Sequence, residues 1–340
     1  MGKDNCSATC RSDCPVSSCA LVVGLSLILL ASSCSAGDHD LVRELRQKGH
    51  DQGLGLIRVL NFVSDEVTFD PPRRFQRDPF SWWSFYNNTT SPDGRSIIGV
   101  YDSLMSGRKG QDITLEDIRA GRVKRQSPGI VYSDPEGKEK WHLPIHFHIG
   151  NLAISATGDK VGLQGKEGLA YVSVSSNEVQ IIDPAADDPH STSHRIAWSP
   201  SGDRIVYERD GKILVLDLAS KQSKQLAAGF DPSWSPDGRW VAFRSPEGSG
   251  VLMSPSGNES KVVLPGKKLS GALRWSPDSE YLLCSESDAA FLPARLLTEM
   301  TSQLVIYRVR DGAQYVIVSA IPVGVGEAFE WIVKKPKHAE

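Results

Sequence analysis

Cysteine is almost absent from the greater part of the sequence. Five of the six cysteines fall within the first 34 residues, and only Cys284 lies beyond them. A disulfide framework needs pairs that are distributed through the folded region, so this distribution excludes one. The spacing of Cys6, Cys10 and Cys14 would suit zinc, but no second cluster of ligands follows them, and we therefore expect no metal. Cys284 lies in an apolar run, which predicts a buried, unpaired side chain.

The sequence also lacks an excess of charge of either sign. It holds 38 lysines and arginines against 41 aspartates and glutamates, which leaves a net charge of −3 over 340 residues. A generally basic surface, the usual electrostatic mark of a nucleic-acid-binding protein, is thereby excluded. We expect no nucleic-acid partner.

Long hydrophobic runs are missing as well. The longest uncharged apolar run covers residues 20–31. A membrane-spanning helix needs about 20 apolar residues, whereas the core of a signal peptide needs about 7 to 15. Residues 1–34 are therefore predicted to be a signal peptide, and the protein is predicted to be exported to the periplasm.

Small residues and a cysteine follow this apolar run. The segment Ala31-Ser-Ser-Cys34 resembles the bacterial lipoprotein processing site, in which the cysteine becomes the acylated N-terminus. Lipid on Cys34 would tether the protein to the outer or inner membrane, and this anchor would be its sole membrane contact. The alternative is cleavage after Ala36 by an ordinary signal peptidase, which leaves no anchor.

A six-residue motif recurs through the rest of the chain. Its first member is tryptophan or a substitute, and its second is always serine. These serines are 64, 44, 36 and 41 residues apart, close to the length of a four-stranded propeller blade. The long first step indicates an insertion, which we place in residues 106–127. The copies are Trp198-Ser-Pro-Ser-Gly-Asp203, Trp234-Ser-Pro-Asp-Gly-Arg239, Trp275-Ser-Pro-Asp-Ser-Glu280, Thr90-Ser-Pro-Asp-Gly-Arg95 and the degenerate Ile154-Ser-Ala-Thr-Gly-Asp-Lys160.

The order of residues within one repeat predicts short antiparallel hairpins. Residues 194–198 and 204–207 are predicted strands, joined by a turn in which Gly202 takes a positive φ. Gly238 occupies the same place in the next repeat. The tryptophans of the motif occupy equivalent positions, so we expect them to pack between blades rather than to contact a ligand. They are Trp198, Trp234 and Trp275.

The motif Trp-Ser-Pro-Asp-Gly-Arg followed by a short apolar strand resembles the TolB-like, WD-like β-propeller repeat of the bacterial envelope. The resemblance covers about residues 80–333. It implies an all-β propeller of four-stranded blades. Propellers of this kind serve as scaffolds, as sensors and as the non-catalytic half of some peptidases, so the resemblance alone does not determine a function.

The two ends of the chain are predicted to share the last blade. Residues 326–333 suggest a sixth innermost strand. Residues 54–69 contain a β-rich pair of segments that lies upstream of the first motif copy and is not assigned to any blade. A lone hairpin is marginally stable in water, and an incomplete blade exposes an unpaired edge. We therefore predict a six-bladed propeller that is closed by residues 54–69 together with residues 326–335.

The remaining boundaries follow from this arrangement. The propeller is predicted to span residues 54–335, and residues 336–340 form a tail. Residues 35–53 are predicted to be a linker with a short helix, so that a deletion of residues 37–50 should be tolerated.

Motifs of known catalytic chemistry are absent from the sequence. It contains no Gly-x-Ser-x-Gly nucleophile elbow, no phosphate-binding glycine loop and no His-Glu-x-x-His. The innermost strands, such as residues 195–198 and 231–234, offer no obvious acid–base pair. We predict no catalytic residue, no cofactor and no metal.

Two clusters of ring side chains are the candidates for a binding surface. His146 and His148 share one face of a predicted strand, and His142 precedes them. Trp82 and Trp83 are adjacent, so that one of them is expected to be exposed.

Two classes of function remain. The first is a non-enzymatic, monomeric module that holds an unidentified envelope protein on its top face or at the mouth of its channel. The second is a lyase or hydrolase that acts on glycan or peptide within the channel. The lack of an obvious catalytic pair favours the first.

Overall fold

A computed structural model describes much of the chain and shows an all-β protein with one helix. The helix and the strands are numbered in chain order below. No helix among the described residues is long and apolar enough to cross a membrane. The structure describes residues 36–60, 63–67, 89–101, 129–133, 139–144, 149–165, 168–184, 195–269, 271–287, 301–322 and 329–334.

The described strands form six antiparallel sheets, which we call blades 1 to 6. In blades 1 to 5 the strands follow one another along the chain. Blade 1 holds β3 (Thr89–Thr90), β4 (Ile97–Tyr101), β5 (Gly129–Ser133) and β6 (Glu139–Pro144); blade 2 holds β7 (Ile149–Ile154), β8 (Lys160–Gly165), β9 (Gly168–Ser173) and β10 (Val179–Pro184). Blade 3 holds β11 (Ile196–Trp198), β12 (Arg204–Arg209), β13 (Lys212–Asp217) and β14 (Gln222–Ala228). Blade 4 holds β15 (Phe230–Trp234), β16 (Val241–Arg244), β17 (Gly250–Met253) and β18 (Ser260–Val263); blade 5 holds β19 (Arg274–Trp275), β20 (Tyr281–Ser287), β21 (Thr301–Arg308) and β22 (Gln314–Pro322).

Blade 6 differs, because its strands come from both ends of the described chain. It holds β1 (Leu54–Leu60), β2 (Val63–Val67) and β23 (Phe329–Val333), with β1 in the middle. The strands β1 and β23 are antiparallel, and Leu56 lies opposite Trp331. Blade 6 thus has three strands in the described part of the chain, one fewer than each of the other blades.

The first strand of blades 1 to 5, and β23 of blade 6, is the innermost strand of its sheet. Each innermost strand contacts that of the next blade, and β23 contacts β3 of blade 1. The hydrophobic clusters lie between neighbouring blades: one, for example, joins Ile98 of blade 1 to Val161 of blade 2. Stability therefore depends on contacts between blades as much as on the sheets themselves.

The motif serine explains why the repeat forms a turn. Ser235 is fully buried, and its Oγ accepts a hydrogen bond from Trp240 N at 2.9 Å and donates one to Asp237 at 2.6 Å. Gly238 N donates to the carbonyl of Ser235, and Gly238 has a φ of 77°, as predicted. The buried hydroxyl thus both donates and accepts a hydrogen bond. These bonds take the place of the strand-to-strand hydrogen bonds that are lost in the turn.

The packing predictions for the tryptophans and for Cys284 are confirmed. Trp198, Trp234 and Trp275 are at most 8% exposed, and each lies in a cluster shared with the preceding blade. Cys284 is buried and unpaired, and burial raises the pKa of its thiol.

The helix α1 (Ala36–Gln52) corrects the prediction of a dispensable linker. It is longer than the short helix expected there, and Leu41 and Leu45 are fully buried in the cluster that joins blades 5 and 6. An apolar stripe at i and i+4 places both leucines on one helical face. Residues 37–50 are therefore part of the core, and their deletion would expose it.

Polar contacts hold the other residues of this helix face in place. Glu44 accepts hydrogen bonds from the Tyr281 hydroxyl, from Arg308 at 2.6 Å and from Arg310 at 2.7 Å. Lys48 lies 2.5 Å from Asp278 and donates to Glu280 at 2.9 Å. Each of these partners belongs to blade 5 or its turns, so polar contacts join α1 to blade 5.

Candidate functional site

The residues singled out for function from the sequence lie largely outside the described residues. This applies to Cys34, to Trp82 and Trp83, and to His146 and His148. His142 lies in β6 of blade 1, opposite Val131 of β5. Among the described residues there is no group of three His, Cys, Asp or Glu side chains that could hold a metal ion.

A polar cavity lies at the centre of the ring of blades. It has a volume of about 100 Å³ and is lined by the innermost strands of all six blades. Six of its polar side chains stand one or three residues before the motif tryptophan or its equivalent, and these two positions share one side of a strand. They are Thr89, Asn151, Arg195, Ser233, Arg274 and Glu330.

Motif turns of blades 1, 4 and 5 lie beside this cavity. Pro92, Pro236 and Pro277, each the third residue of its motif, line the cavity beside the innermost strands. Neighbouring turns also contact each other: Asp237 N donates to Ser279 Oγ at 3.0 Å. The turns of blades 4 and 5 are therefore joined directly beside the cavity.

The first charged group is built around Asp231 and reaches the cavity through Arg195. Its carboxylate lies 3.4 Å from Arg195 Nε and 3.1 Å from an Arg244 terminal nitrogen. Its backbone N–H donates to Glu208, which is 3% exposed, at 2.9 Å. One carboxylate thus joins arginines from blades 3 and 4.

The second charged group joins blades 1, 5 and 6. Arg274 lies 3.0 Å from Glu330 Oε1, and Thr90 donates to Glu330 Oε2 at 3.3 Å. Burial raises the pKa of Glu330, although the charges of Arg274 and Arg195 oppose the shift. A buried carboxyl of this kind is able to hold a proton near neutral pH more readily than a free one.

These two groups show that innermost strands carry charged side chains. Asp231 and Glu330 both lie in innermost strands and are ion-paired to arginines, and the expectation that these strands hold no acid–base pair stays a prediction. The sequence spacing marks both residues as channel-side positions, because Asp231 stands three residues before Trp234 and Glu330 one residue before Trp331. Comparing those positions across the repeats would have found them.

The innermost strand of blade 4 is irregular at this site. The pairing of β15 with β16 shifts between Phe230 and Ser233, and Asp231 has a φ of 56°. Pro232 lacks an N–H and cannot pair with a neighbouring strand at that point. A bulge with a residue in the left-handed region costs free energy, and such features concentrate at functional sites.

The indole hydrogen bonds of the motif tryptophans show the same irregularity. Trp198 Nε1 donates to Ala153 O at 3.1 Å, and Trp331 Nε1 donates to Arg274 O at 3.0 Å, each on the preceding innermost strand. On either side of β15 this bond is missing. Trp234 donates to its own turn at 3.5 Å, and Trp275 Nε1 is buried without a hydrogen-bond partner among the described residues.

A second pocket lies between blades 2 and 3, and its polar groups bond to each other. Asp183 accepts from Tyr207 at 2.7 Å and from Arg209 at 2.9 Å. Burial raises the pKa of Tyr207 to about 12. This cluster links the two blades.

The fold has relatives among solved structures. A protein assigned as TolB from Agrobacterium tumefaciens matches 83% of this chain and 96% of its own length, at 14% sequence identity and a TM-score of 0.50. The fold is a TolB-like β-propeller. This result agrees with the resemblance of the repeat, and at this identity it concerns the fold alone.

Two further structures are more distant from this TolB-like propeller. Hydrazine synthase of Kuenenia stuttgartiensis is 16% identical over 74% of this chain and 68% of its own, with a TM-score of 0.45. TolB from Acinetobacter baumannii is 15% identical over 56% of this chain and 49% of its own, with a TM-score of 0.43. No protein-family model matches the sequence, and no curated protein matches it.

Proposed function

We propose that this TolB-like propeller is an exported, non-enzymatic module that binds a protein partner over the channel mouth. The observation that supports the proposal is a cavity bordered by the motif turns of blades 1, 4 and 5 and lined by the ion pair of Arg274 and Glu330. Turns that are bonded to each other form a surface that needs little ordering when a partner binds.

The pairing of the charges favours binding over catalysis. Asp231 is held by two arginines, and Glu330 by Arg274 and Thr90. Each carboxyl group is therefore held in a fixed position by its partners. Fixed charges at an opening instead give specificity and orientation to a partner.

Site-specific crosslinking tests where the partner binds. A photoreactive residue is placed at Arg239, an exposed position of a motif turn, and in a control at Lys224, an exposed position of the outer strand β14. We expect one envelope protein to be crosslinked from Arg239 and not from Lys224. Equal products from both positions, or none from either, would refute binding at the channel mouth.

Anchoring at the membrane is part of the same proposal and rests on the motif around Cys34. Acyl chains would supply the free energy of anchoring. Cys34→Ser should therefore move the protein from the membrane fraction to the soluble fraction. An unchanged distribution would exclude lipid attachment at Cys34 while leaving the partner-binding proposal intact.

One observation supports the alternative of a channel enzyme. Glu330 is a buried carboxyl with a raised pKa beside an arginine, as general acids often are. If the protein were a hydrolase or lyase of glycan or peptide, Glu330→Gln would abolish turnover of envelope glycan or peptide fragments. The absence of turnover by the unaltered protein would exclude this alternative.

A further inference from the structure

Among the described residues, two arginines and one carboxyl group are the charged side chains that line the channel cavity. They are Arg195 of β11, Arg274 of β19 and Glu330 of β23. Asp231, the partner of Arg195, is not among the residues of this wall. The wall therefore carries one net positive charge when Glu330 is ionised and two when it is protonated. An anion is the ion that such a wall attracts.

The three charged side chains act on each other inside the ring of blades. Arg274 lies 3.0 Å from Glu330 Oε1. Arg195 belongs to blade 3, which is three blades away from blade 6 in either direction around the ring. Its charge nevertheless acts on the carboxyl group of Glu330, so the channel is narrow at this level. A group inside the cavity therefore lies in the field of both arginines.

The cavity wall favours a ligand with acceptor atoms. The side chains of Arg195 and Arg274 each remain 15% exposed although they are ion-paired. A guanidinium presents its N–H donors in a planar fork, which matches the two oxygens of a carboxylate. Trp275 Nε1, a buried donor without a hydrogen-bond partner among the described residues, belongs to a residue of the same wall.

The charged side chains lie at two depths in the channel. Arg274 and Glu330 stand one residue before the motif tryptophan or its equivalent, whereas Arg195 stands three residues before Trp198. Two residues of a strand span about 7 Å. Arg274 and Glu330 are therefore the nearer pair to the motif turns, where Pro277 lines the cavity. A group that enters from the turns meets these two side chains first.

The protonation state of Glu330 determines whether an anion can lie beside it. An ionised carboxylate repels a neighbouring anion, whereas a protonated one donates a hydrogen bond to it. Burial raises the pKa of Glu330, while Arg274, Arg195 and Thr90, which act on it from blades 5, 3 and 1, oppose the shift. On the neighbouring strand β1, the apolar Ile57 lies opposite it. A proton on Glu330 thus removes the repulsion and adds a donor.

We propose that the channel binds a carboxylate group between Arg274 and Arg195, together with a proton that is held by Glu330. The two guanidinium groups supply the positive charge, and the protonated Glu330 donates to a carboxylate oxygen. The cavity of about 100 Å³ suits one small group and a few waters. The inference rests on the proposed function for its natural source, an Asp or Glu side chain of the partner, whereas a free carboxylate of low molecular weight is the other source.

The uptake of a proton tests the inference on the unaltered protein. Acetate is titrated by calorimetry at constant ionic strength between pH 6 and pH 9, in two buffers with different enthalpies of ionisation. We expect uptake of up to about one proton for each acetate, and an affinity that falls by up to about tenfold for each pH unit. Acetamide and methylammonium, which are of similar size, should bind at least about tenfold more weakly at pH 6.

Two results of these titrations would overturn the inference. One is acetamide binding as tightly as acetate, and the other is acetate binding without proton uptake at every pH of the series.

Arg195 and Arg244 provide a matched pair of substitutions. Both contact Asp231, but only Arg195 belongs to the cavity wall. Arg195→Gln should weaken acetate binding about tenfold, and Arg244→Gln by less than about twofold. Equal losses would assign the effect to the contacts of Asp231 and would contradict binding inside the cavity.

Glu330→Gln tests the position of the proton. The amide is uncharged at every pH and still donates, so it imitates the protonated carboxyl group. Acetate should then bind without proton uptake, and at pH 9 at least about tenfold more tightly than to the unaltered protein. Circular dichroism checks that the variants are folded. Proton uptake that persists in Glu330→Gln would contradict the role of Glu330.

The source of the carboxylate is decided with the crosslinked partner. If the partner supplies it, acetate at saturating concentration should reduce crosslinking from Arg239, as should replacing one Asp or Glu of the partner with Asn or Gln. If crosslinking is unaffected or absent while acetate still binds with a proton, the ligand is a free carboxylate. If crosslinking from Arg239 persists and acetate fails to bind, the inference fails and the proposed function remains.

Discussion

Blades 3 and 6 are both antiparallel sheets, but they are assembled in different ways. Blade 3 is built from consecutive strands between Ile196 and Ala228, with hairpins between them. Blade 6 joins β1 to β23 across nearly the whole chain and relies on α1 for part of its core. The comparison teaches that the repeat encodes a regular blade locally, whereas the last blade depends on contacts between distant residues.

The largest expected effect is at the helix that covers blade 6. Leu45→Ala removes a fully buried side chain from the shared core, and we expect a loss of about 2 to 5 kcal/mol. Arg43→Ala on the exposed face of the same helix should change stability by less than about 0.5 kcal/mol. Both are measured by urea denaturation, and equal midpoints for the two variants would show that α1 is peripheral after all.

Two glycines of the motif turns test whether the turn of blade 1 is packed against blade 6. A Cβ on Gly202 in blade 3 would meet no atom within 4 Å, whereas one on Gly94 would lie 3.1 Å from Val333 N of blade 6. Both residues have φ near 70°, so alanine costs about 1 to 2 kcal/mol at each from the backbone alone.

Gly94→Ala should therefore lower the free energy of unfolding by a further amount, about 1 to 3 kcal/mol, because the turn must move away from β23. Thermal unfolding of the two variants measures the difference. Equal losses at both positions would mean that the turn of blade 1 does not press against blade 6.

The change of stability at acid pH should reveal the contact between Glu44 of α1 and blade 5. Burial alone would raise the pKa of Glu44, but the hydroxyl of Tyr281 and the guanidinium groups of Arg308 and Arg310 together lower it. A lowered folded-state pKa gives stability that is present above the ordinary value of 4.5 and is lost as the pH falls through the folded value.

Glu44→Gln should thus be less stable than the unaltered protein by about 1 to 2 kcal/mol at pH 7, and the gap should close near pH 3. Unfolding midpoints between pH 3 and 8 provide the measurement. A gap of the same size at pH 3 would assign the loss to packing and not to charge.

Glu330 in the channel should show the opposite pH dependence. Burial raises its pKa, so the folded state favours the protonated carboxyl, and that contribution is lost as the pH rises through the folded value. Glu330→Gln should therefore gain stability relative to the unaltered protein on going from pH 4 to pH 8. A relative loss over the same range would mean that Arg274 outweighs the burial.

The smallest effect is expected at the one motif turn of this type that lacks glycine. Ser279 of blade 5 has a φ of 62°, which glycine would adopt with less strain, but its hydroxyl also accepts from Asp237 N at 3.0 Å. Ser279→Gly relieves the strain and removes the hydrogen bond, so the net change should stay within about 0.5 kcal/mol. A loss above 1 kcal/mol in thermal unfolding would show that the hydrogen bond between the turns stabilises the protein by more than the backbone strain destabilises it.

The regular parts of the fold were predictable from the sequence because they depend on neighbouring residues. The turn at Gly238, the burial of Trp198 and the apolar surroundings of Cys284 all follow from short-range patterns. The alternation of side chains along an innermost strand also placed Arg195 and Asp231 on one side of their strands, although the comparison across repeats is needed to see it.

The sequence by itself thus determined the repeat and its turns, since a turn rests on interactions within about ten residues, and the recurrence of tryptophan at one position of the repeat predicted its packing against the preceding blade. Only the tertiary structure decided that α1 belongs to the core, because Glu44 meets Arg308 only once the two ends of the chain are side by side. It likewise decided which polar atoms of the channel lack partners. Among the described residues Trp275 Nε1 has no hydrogen-bond partner, and the neighbouring strand is bulged at Asp231. A hydrogen bond between two blades depends on residues of both, so one repeat read alone does not reveal it.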